Sequence, residues 1–460
     1  MDRTRGAPIV DRAADDAVVV PTRAFRVWLA VIAAVALIVR LLQVAWVTGR
    51  QDLAGDAFYY YWQAQHNAAG HWFAQPLLYT SWRAWIPGAD HPPGFVTLLT
   101  VLDYLGLDTP LAQRYFLAVL GVGTVIAIVW IMRTVVGDRA ALIAGGIAAI
   151  YPNLWVNDGR IMSETMFALC FAVALFAFFR FRAEHEWRWL VLLAVALTLA
   201  SSARPESLLL FALVLVPAVW SATAGDLRRR LAMIAVAALI PVATFAPWVV
   251  FNSMRFDRLV VMSTGAGQTL AQGNCSLTYY GSSIGLNQFK CLEEILPPAG
   301  RDVNAAEQDA VYREAAFDYM GDHLDRLPTV VLAREGRTWG LWRVGQQQRV
   351  DHIWENRGSL AVVSLQQWSW WIVGALAIGG AVLWRKRRYG LYPLGVQFAI
   401  TVAVVGFTFG NTRYRVGVEV CAVLLAATSI EYAWRWWRRR SGRPGLTAPS
   451  DDVTQPMAPT

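Results

Sequence analysis

The chain has 460 residues, of which 56% are hydrophobic and only 16% charged, with a formal net charge of +8. Soluble domains carry roughly 25% charged residues. The apolar residues here fall in long blocks and not in alternating patterns, which excludes a set of soluble domains and predicts an all-α polytopic membrane protein. Lys290 and Lys386 are the only lysines. The arginines that supply the positive charge gather at the ends of apolar blocks, a layout that speaks for membrane orientation and lipid headgroups, not nucleic acid.

Residues 1–24 read as a short cytoplasmic segment, followed by the first apolar block at 25–47. An "AVA" at 34–36 resembles a signal-peptide cleavage site, but the apolar run continues through Val47, so a retained anchor is expected. An outer loop, 48–111, holds "AGDAFYYYW" at 54–62 and the tryptophans Trp62, Trp72, Trp82 and Trp85, as suits helices lying at the membrane interface. The segment 93–107 after "HPP" is apolar-leaning and is read as interfacial or re-entrant.

Nine further blocks follow, at 112–132, 139–157, 162–181, 187–203, 205–220, 231–251, 364–384, 391–409 and 416–434, giving about 10 transmembrane helices. With the N-terminus inside, every strongly basic short connection lands on the cytoplasmic side. These include Arg133 and Arg139, Arg180, Arg182 and Arg188, "LRRR" at 227–230, "RKRR" at 385–388 and "RWWRRR" at 435–440. Both termini are then cytoplasmic, and the polar, proline-rich tail at 436–460 is expected to be disordered. A second outer loop, 252–363, carries a helical stretch around 304–325 and two of the four cysteines. Cys275 and Cys291 are candidates for a disulfide in an oxidising compartment, whereas Cys170 and Cys421 fall inside spans as packing residues.

Charged residues on the outer face gather at five places: Asp56, "DHPP" at 90–93, "NDGRIMSE" at 157–164, "ARPE" at 203–206 and "NTRYR" at 411–415. Charge near hydrocarbon is costly, and one topology sets all five at similar depth, which describes a pocket built from helix ends. Each has a plainer alternative. Asp56 could cap a helix, His91 could simply precede one opened by Pro92 and Pro93, and Glu164 could be a first-turn acid after Ser163. Arg204 and Glu206 could be a structural ion pair, and the tyrosines 59–61 could be interface-belt residues. Arg413 and Arg415 oppose the positive-inside bias, so a specific anion explains them better than snorkelling. An acid beside arginines suits proton removal from a hydroxyl together with stabilisation of a departing phosphate. No phosphate-binding GxxxxGK[ST], HExxH, CxxC or serine-nucleophile elbow competes.

The chain resembles a GT-C-fold glycosyltransferase of the family 39 type, whose relatives are protein O-mannosyltransferases and the aminoarabinose transferase acting on lipid A. The resemblance rests on "GDAFYY" after span one, "HPP", "RIMSETMF" opening span four, "ARPE", "PWVVFN" at 247–252 and "RYR" before the last span, and covers about 25–435. It implies a polytopic enzyme that moves a hexose or pentose, with inversion, from a polyprenyl-phosphate-linked donor to an envelope glycan, lipid or protein acceptor. The work would be done at the extracytoplasmic face of the cell membrane. It implies Asp56 as catalytic base or acceptor anchor, and His91 near the donor phosphate. Glu164, Arg204, Arg413, Arg415 and Tyr60 are then donor-phosphate or substrate-binding candidates. A divalent metal stays open, with Asp56 and His91 as candidate ligands. Asp56 is followed by Ala57 where the mannosyltransferases carry paired acids, and "RVGVE" holds Gly417 where proline is common. A transporter or lipid flippase, or a non-catalytic relative, is the alternative; against transport stand the lack of repeated halves and of charges within the spans.

Overall fold

The structure, a computed structural model, describes residues 20–49, 51–222, 226–296 and 304–441, and is helical throughout these. The N-terminal segment through residue 19 and the tail from 442 lie outside the described residues, whereas 436–440, read above as the start of a disordered tail, are the last turn of a helix ending at Arg440.

The first span is α1 (Arg23–Gln43), prolonged by a π-helical turn at Val44–Thr48. Thr22 starts it, its hydroxyl accepting from the Phe25 N–H at 3.1 Å. Three shorter helices follow: α2 (Asp56–Ala68), α3 (Pro76–Trp82) and α4 (Pro93–Tyr104). Next come α5 (Pro110–Val135), α6 (Asp138–Ile150), α7 (Pro152–Asp158), α8 (Glu164–Glu184), α9 (Trp187–Ala203), α10 (Val216–Ala222) and α11 (Leu227–Phe256). Proline opens α3, α4, α5 and α7, where its missing N–H costs nothing and its fixed φ suits a helix start.

The described residues of the region 257–359 form six α-helices: α12 (Ala266–Gly273), α13 (Ser276–Tyr279), α14 (Lys290–Ile295), α15 (Ala305–Asp322), α16 (Leu327–Thr338) and α17 (Val344–Ile353). Cys275 and Cys291 are joined in it by a disulfide. Three helices close the chain: α18 (Leu360–Arg387), α19 (Tyr392–Phe407) and α20 (Val416–Arg440).

All ten apolar blocks are helical. Seven are long and apolar enough to cross a membrane, and α6 with α7 forms an eighth, bent by 56°. The other two, α9 and α19, have 17 and 16 residues. At 1.5 Å per residue these reach about 25 Å, short of the roughly 30 Å core. The last span has 72% of its apolar window buried and α8 has 67%, whereas the α11 span has 17%. Thus α8 and α20 form the centre of the bundle, and α11 presents most of its surface outward.

Several charges lie within the spans, among them Arg114, Glu419 and Glu431, and a further one, Arg40, is matched wholly inside the bundle. Arg40, fully buried in α1, donates from Nε to Asp158 Oδ2 at 2.7 Å and from Nη1 to the carbonyls of Ala36 and Ala149 at 3.2 Å. A Cβ on Gly121 would lie 2.2 Å from the Asp158 carboxylate, so glycine leaves the room that this pair occupies. Charge is therefore present inside the spans, contrary to the expectation, and at Arg40 it forms a paired structural clasp between α1 and the bent α6–α7 span.

Candidate functional site

Alternating spans bring the starts of α2, α4, α8 and the 3₁₀ turn at Thr412–Arg415 to one end of the bundle, with the α9–α10 connection. Asp56 is the first residue of α2. It does not cap the helix: Gly55, at φ +55°, holds the cap position, where a side chain would be strained. The carboxylate is thus free to reach across to Arg413, whose Nη1 donates to Asp56 Oδ2 at 2.8 Å.

Arg413 is aimed by its own turn. The Asn411 side chain accepts from the Arg413 N–H at 3.0 Å, an Asx-type bond that shapes the break between α19 and α20. From there Arg413 Nε donates to Glu164 Oε1 at 2.7 Å. Arg204 Nη1 reaches the same oxygen at 3.4 Å, while its Nε donates to Glu206 at 2.8 Å. The Arg204–Glu206 pair exists, but it is part of the larger cluster. Glu164 opens α8 as expected; Ser163 makes no side-chain cap, its hydroxyl being engaged with Tyr60.

His91 Nε2 stands 3.8 Å from Asp56 Oδ1. Its ring is held between Tyr60, at 4.5 Å between centroids, and Tyr59, at 4.9 Å edge-on. Both tyrosines are buried. They are walls of the site, not belt residues, while Trp62, Trp72, Trp82 and Trp85 are exposed. Burial raises the Tyr60 phenol, reinforced by the charges of Asp56 and Glu164, so it stays a hydrogen-bond donor.

Arg415 goes elsewhere. It lies 2% exposed inside the bundle, bonded to Glu419 Oε1 at 3.0 Å and to the Thr338 carbonyl at 3.0 Å, with its guanidinium over Trp370. The remaining candidates, Asp56, His91, Glu164, Arg204, Arg413 and Tyr60, are brought together.

Two participants had not been singled out. Glu355, from the loop between α17 and α18, lies 3.7 Å from Arg413 Nη1 and accepts from Asn411 Nδ2 at 2.6 Å. Arg160, between α7 and α8, donates to the Glu355 backbone carbonyl. Burial and the nearby Arg357 press the Arg160 guanidinium down to about 10. The "NDGR" turn could have flagged Arg160. Nothing in the polar stretch around Glu355 marks it beyond an acid placed just before a span.

The Asp56 side chain sits within the cluster yet keeps 34% of its surface exposed. Burial alone would raise its carboxyl, but the charges of Arg413 and His91 outweigh that and hold it at about 2. It is ionised at neutral pH and can accept a hydrogen bond from an incoming hydroxyl. Beside the cluster runs a cleft lined by Phe167, Arg204, Glu206, Gln397, Thr401 and Tyr414. Among the described residues no group of three His, Cys, Asp or Glu side chains comes together to hold a metal ion. Asp56 and His91 pair without a third ligand.

Residues 90–251 match a family model described as dolichyl-phosphate-mannose-protein mannosyltransferase. No curated protein matches the chain in sequence. Among solved structures, the Archaeoglobus fulgidus oligosaccharyltransferase tethered to an acceptor peptide aligns at a TM-score of 0.51 and 14% identity, over 90% of this chain and 50% of that one. Its apo form gives 0.50 and 14%, over 92% and 53%. ArnT from Cupriavidus metallidurans bound to undecaprenyl phosphate aligns at 0.45 and 15%, over 88% and 77%. The chain spans about half the length of the archaeal enzyme. The shared fold is that of the GT-C glycosyltransferases, an all-helical polytopic membrane architecture.

Proposed function

We propose that this protein is a membrane glycosyltransferase that moves a sugar from a polyprenyl-phosphate-linked donor to a cell-envelope acceptor. The observation that carries the reading is the convergence of Asp56, Glu164, Arg204 and Arg413, from four separate stretches, at one end of a GT-C bundle. The family model matched by residues 90–251 is described by a lipid-phosphate sugar donor, and the archaeal relative holds an acceptor peptide. Both descriptions support the class. The arginine runs support a sidedness in which their end is cytoplasmic and the site opens on the extracytoplasmic face.

In the proposed step an acceptor hydroxyl lies against Asp56, which takes its proton as the oxygen attacks the anomeric carbon. The bond from that carbon to the phosphate oxygen breaks with its electron pair, and polyprenyl phosphate departs. Arg413 and Arg204 offer guanidinium donors to the phosphate as its charge grows. Glu164 holds both arginines at the proper height, and His91 with Tyr60 frames the acceptor side. Attack opposite the leaving group inverts the sugar. No step is routed through a metal.

The test is purified protein in lipid nanodiscs with a panel of polyprenyl-phosphate sugars, membrane extract as acceptor, and release of polyprenyl phosphate as readout. Release that requires both acceptor and Asp56 is the expected result. A folded protein that releases nothing from any donor, or an Asp56→Asn variant with full turnover, overturns the reading.

A further inference from the structure

Three carboxylates converge on Arg413, and they are not held alike. Asp56 and Glu164 sit on the first residues of α2 and α8 and touch the guanidinium at 2.8 and 2.7 Å. Glu355 sits on a loop and stands off at 3.7 Å. The cluster as a whole places four carboxylates, on Asp56, Glu164, Glu206 and Glu355, against the guanidiniums of Arg204 and Arg413, with Arg160 on the backbone carbonyl of Glu355. It is therefore already supplied with negative charge before any phosphate arrives.

A phosphate that binds Arg413 needs a place beside its N–H groups, so one of the resident carboxylates must yield. The acids on the two helix starts are fixed by their elements, and displacing either would shift a helix. Glu355 is the cheapest to move. Its partner Asn411 is neutral, and beside it Trp354 and Ile353 are 76% and 64% exposed, so the loop's apolar tip is not locked into the core. Asn356, at φ +49°, turns the chain immediately after it.

We infer that Glu355 is a built-in competitor for Arg413, occupying the place of the lipid phosphate and setting how tightly that phosphate is held. The inference rests on the proposed lipid-phosphate donor. It also gives the acid a use after transfer. The sugar-linked donor is a phosphodiester with one negative charge, whereas the released monoester approaches two. A resident carboxylate opposes the product more strongly than the donor and so favours release.

The test is equilibrium binding of undecaprenyl phosphate to the full-length protein in nanodiscs, with uncharged undecaprenol as the control lipid. Glu355→Gln removes the charge but keeps an oxygen for the Asn411 bond. It should tighten undecaprenyl phosphate binding by about fivefold, the scale on which partly solvated ion pairs move an equilibrium, and leave undecaprenol binding unchanged. Structural damage would weaken binding, not tighten it, so the direction of the change discriminates. Glu355→Asp, which keeps the charge on a shorter arm, should fall between the two. Wild type that prefers the phosphate to the alcohol, with Glu355→Gln binding no more tightly, overturns the role of Glu355 and leaves the donor reading standing. No preference for the phosphate in either protein overturns the donor reading, and the inference with it.

Discussion

The two ends of the bundle treat charge in opposite ways. At the arginine-rich end, several arginines reach solvent and pair with acids a few positions away, though Arg139 also reaches the enclosed Glu431 from far along the chain. Arg188, 63% exposed, pairs with Glu184 and Glu186, and Arg435, 55% exposed, pairs with Glu431 four residues before it. At the other end partners come from far apart in sequence and are largely enclosed: Arg413 meets Asp56 across 357 positions and Glu164 across 249. Local, solvated pairs orient a protein in its membrane at little energetic consequence. Distant, enclosed pairs are costly to assemble unless each charge is matched, so the fold keeps them for a purpose, structural in the Arg40–Asp158 clasp and, in the proposed reading, chemical around Arg413.

The sharpest way to break this comparison is to remove the proton acceptor. Asp56→Asn should lower transfer by about 10²–10⁴-fold, the usual contribution of a general base, while the variant still folds because Asn can accept from Arg413. Polyprenyl phosphate release under saturating donor checks it. A loss confined to KM would reassign Asp56 to acceptor binding.

Arg415 should behave differently from its neighbour Arg413. Replacing it with Met leaves Glu419 buried without its cation, a loss of about 3–5 kcal/mol of stability. Whatever fraction remains folded should turn over near the wild-type rate per molecule. Thermal unfolding in nanodiscs, set beside activity per folded protein, checks this. Arg413→Lys should show the reverse: modest destabilisation with a severe loss of turnover, because an ammonium cannot bridge Asp56 and Glu164 with a planar fork.

Those two arginines also show how far the sequence could be read. Span positions and the sided arginine runs are properties of contiguous residues, so hydropathy and the positive-inside pattern reveal them directly. The gathering of Asp56, His91, Glu164 and Arg204 was legible because each lies at a span end on one face. The separation of Arg413 from Arg415 was not. A 3₁₀ turn points residues two apart in different directions, and no composition rule reports which one joins the acid cluster. Composition alone made Tyr59 and Tyr60 belt residues, and only the family resemblance singled out Tyr60, because sequence cannot tell an interfacial ring from a buried one. Arg40 was hidden because a single arginine hardly lowers the hydropathy of a 26-residue span.

A smaller effect concerns pH. Asp56 is held at about 2, below the ordinary carboxylate value of 3.8, so the sign is fixed. Its ionised form stabilises the folded state fully above the unfolded value, and this is lost as pH falls through about 2. No Asp56 titration therefore falls between pH 5 and 8. The kcat/KM profile of the free enzyme should stay flat from neutrality to about pH 4.5 as far as Asp56 is concerned. An acid limb with a midpoint near 6 that disappears in Asp56→Asn would show that the Arg413 contact does not persist in the working enzyme.

The smallest effect is expected where the chain carries most of its arginine. Arg188→Ala removes two ion pairs, at 3.0 and 2.5 Å, and a contact over the Trp189 ring at 5.1 Å. By number of contacts it rivals Arg413→Lys. By environment it does not, because a side chain 63% exposed exchanges its partners for solvent and headgroups with little loss. Stability should change by less than about 0.5 kcal/mol, and turnover should not change at all. Unfolding midpoints for Arg188→Ala and Arg415→Met, measured in the same nanodiscs, put the comparison on one scale. If the two variants lose stability equally, enclosure is not what separates the two ends, and the assignment of the enclosed cluster as the working end loses its physical ground.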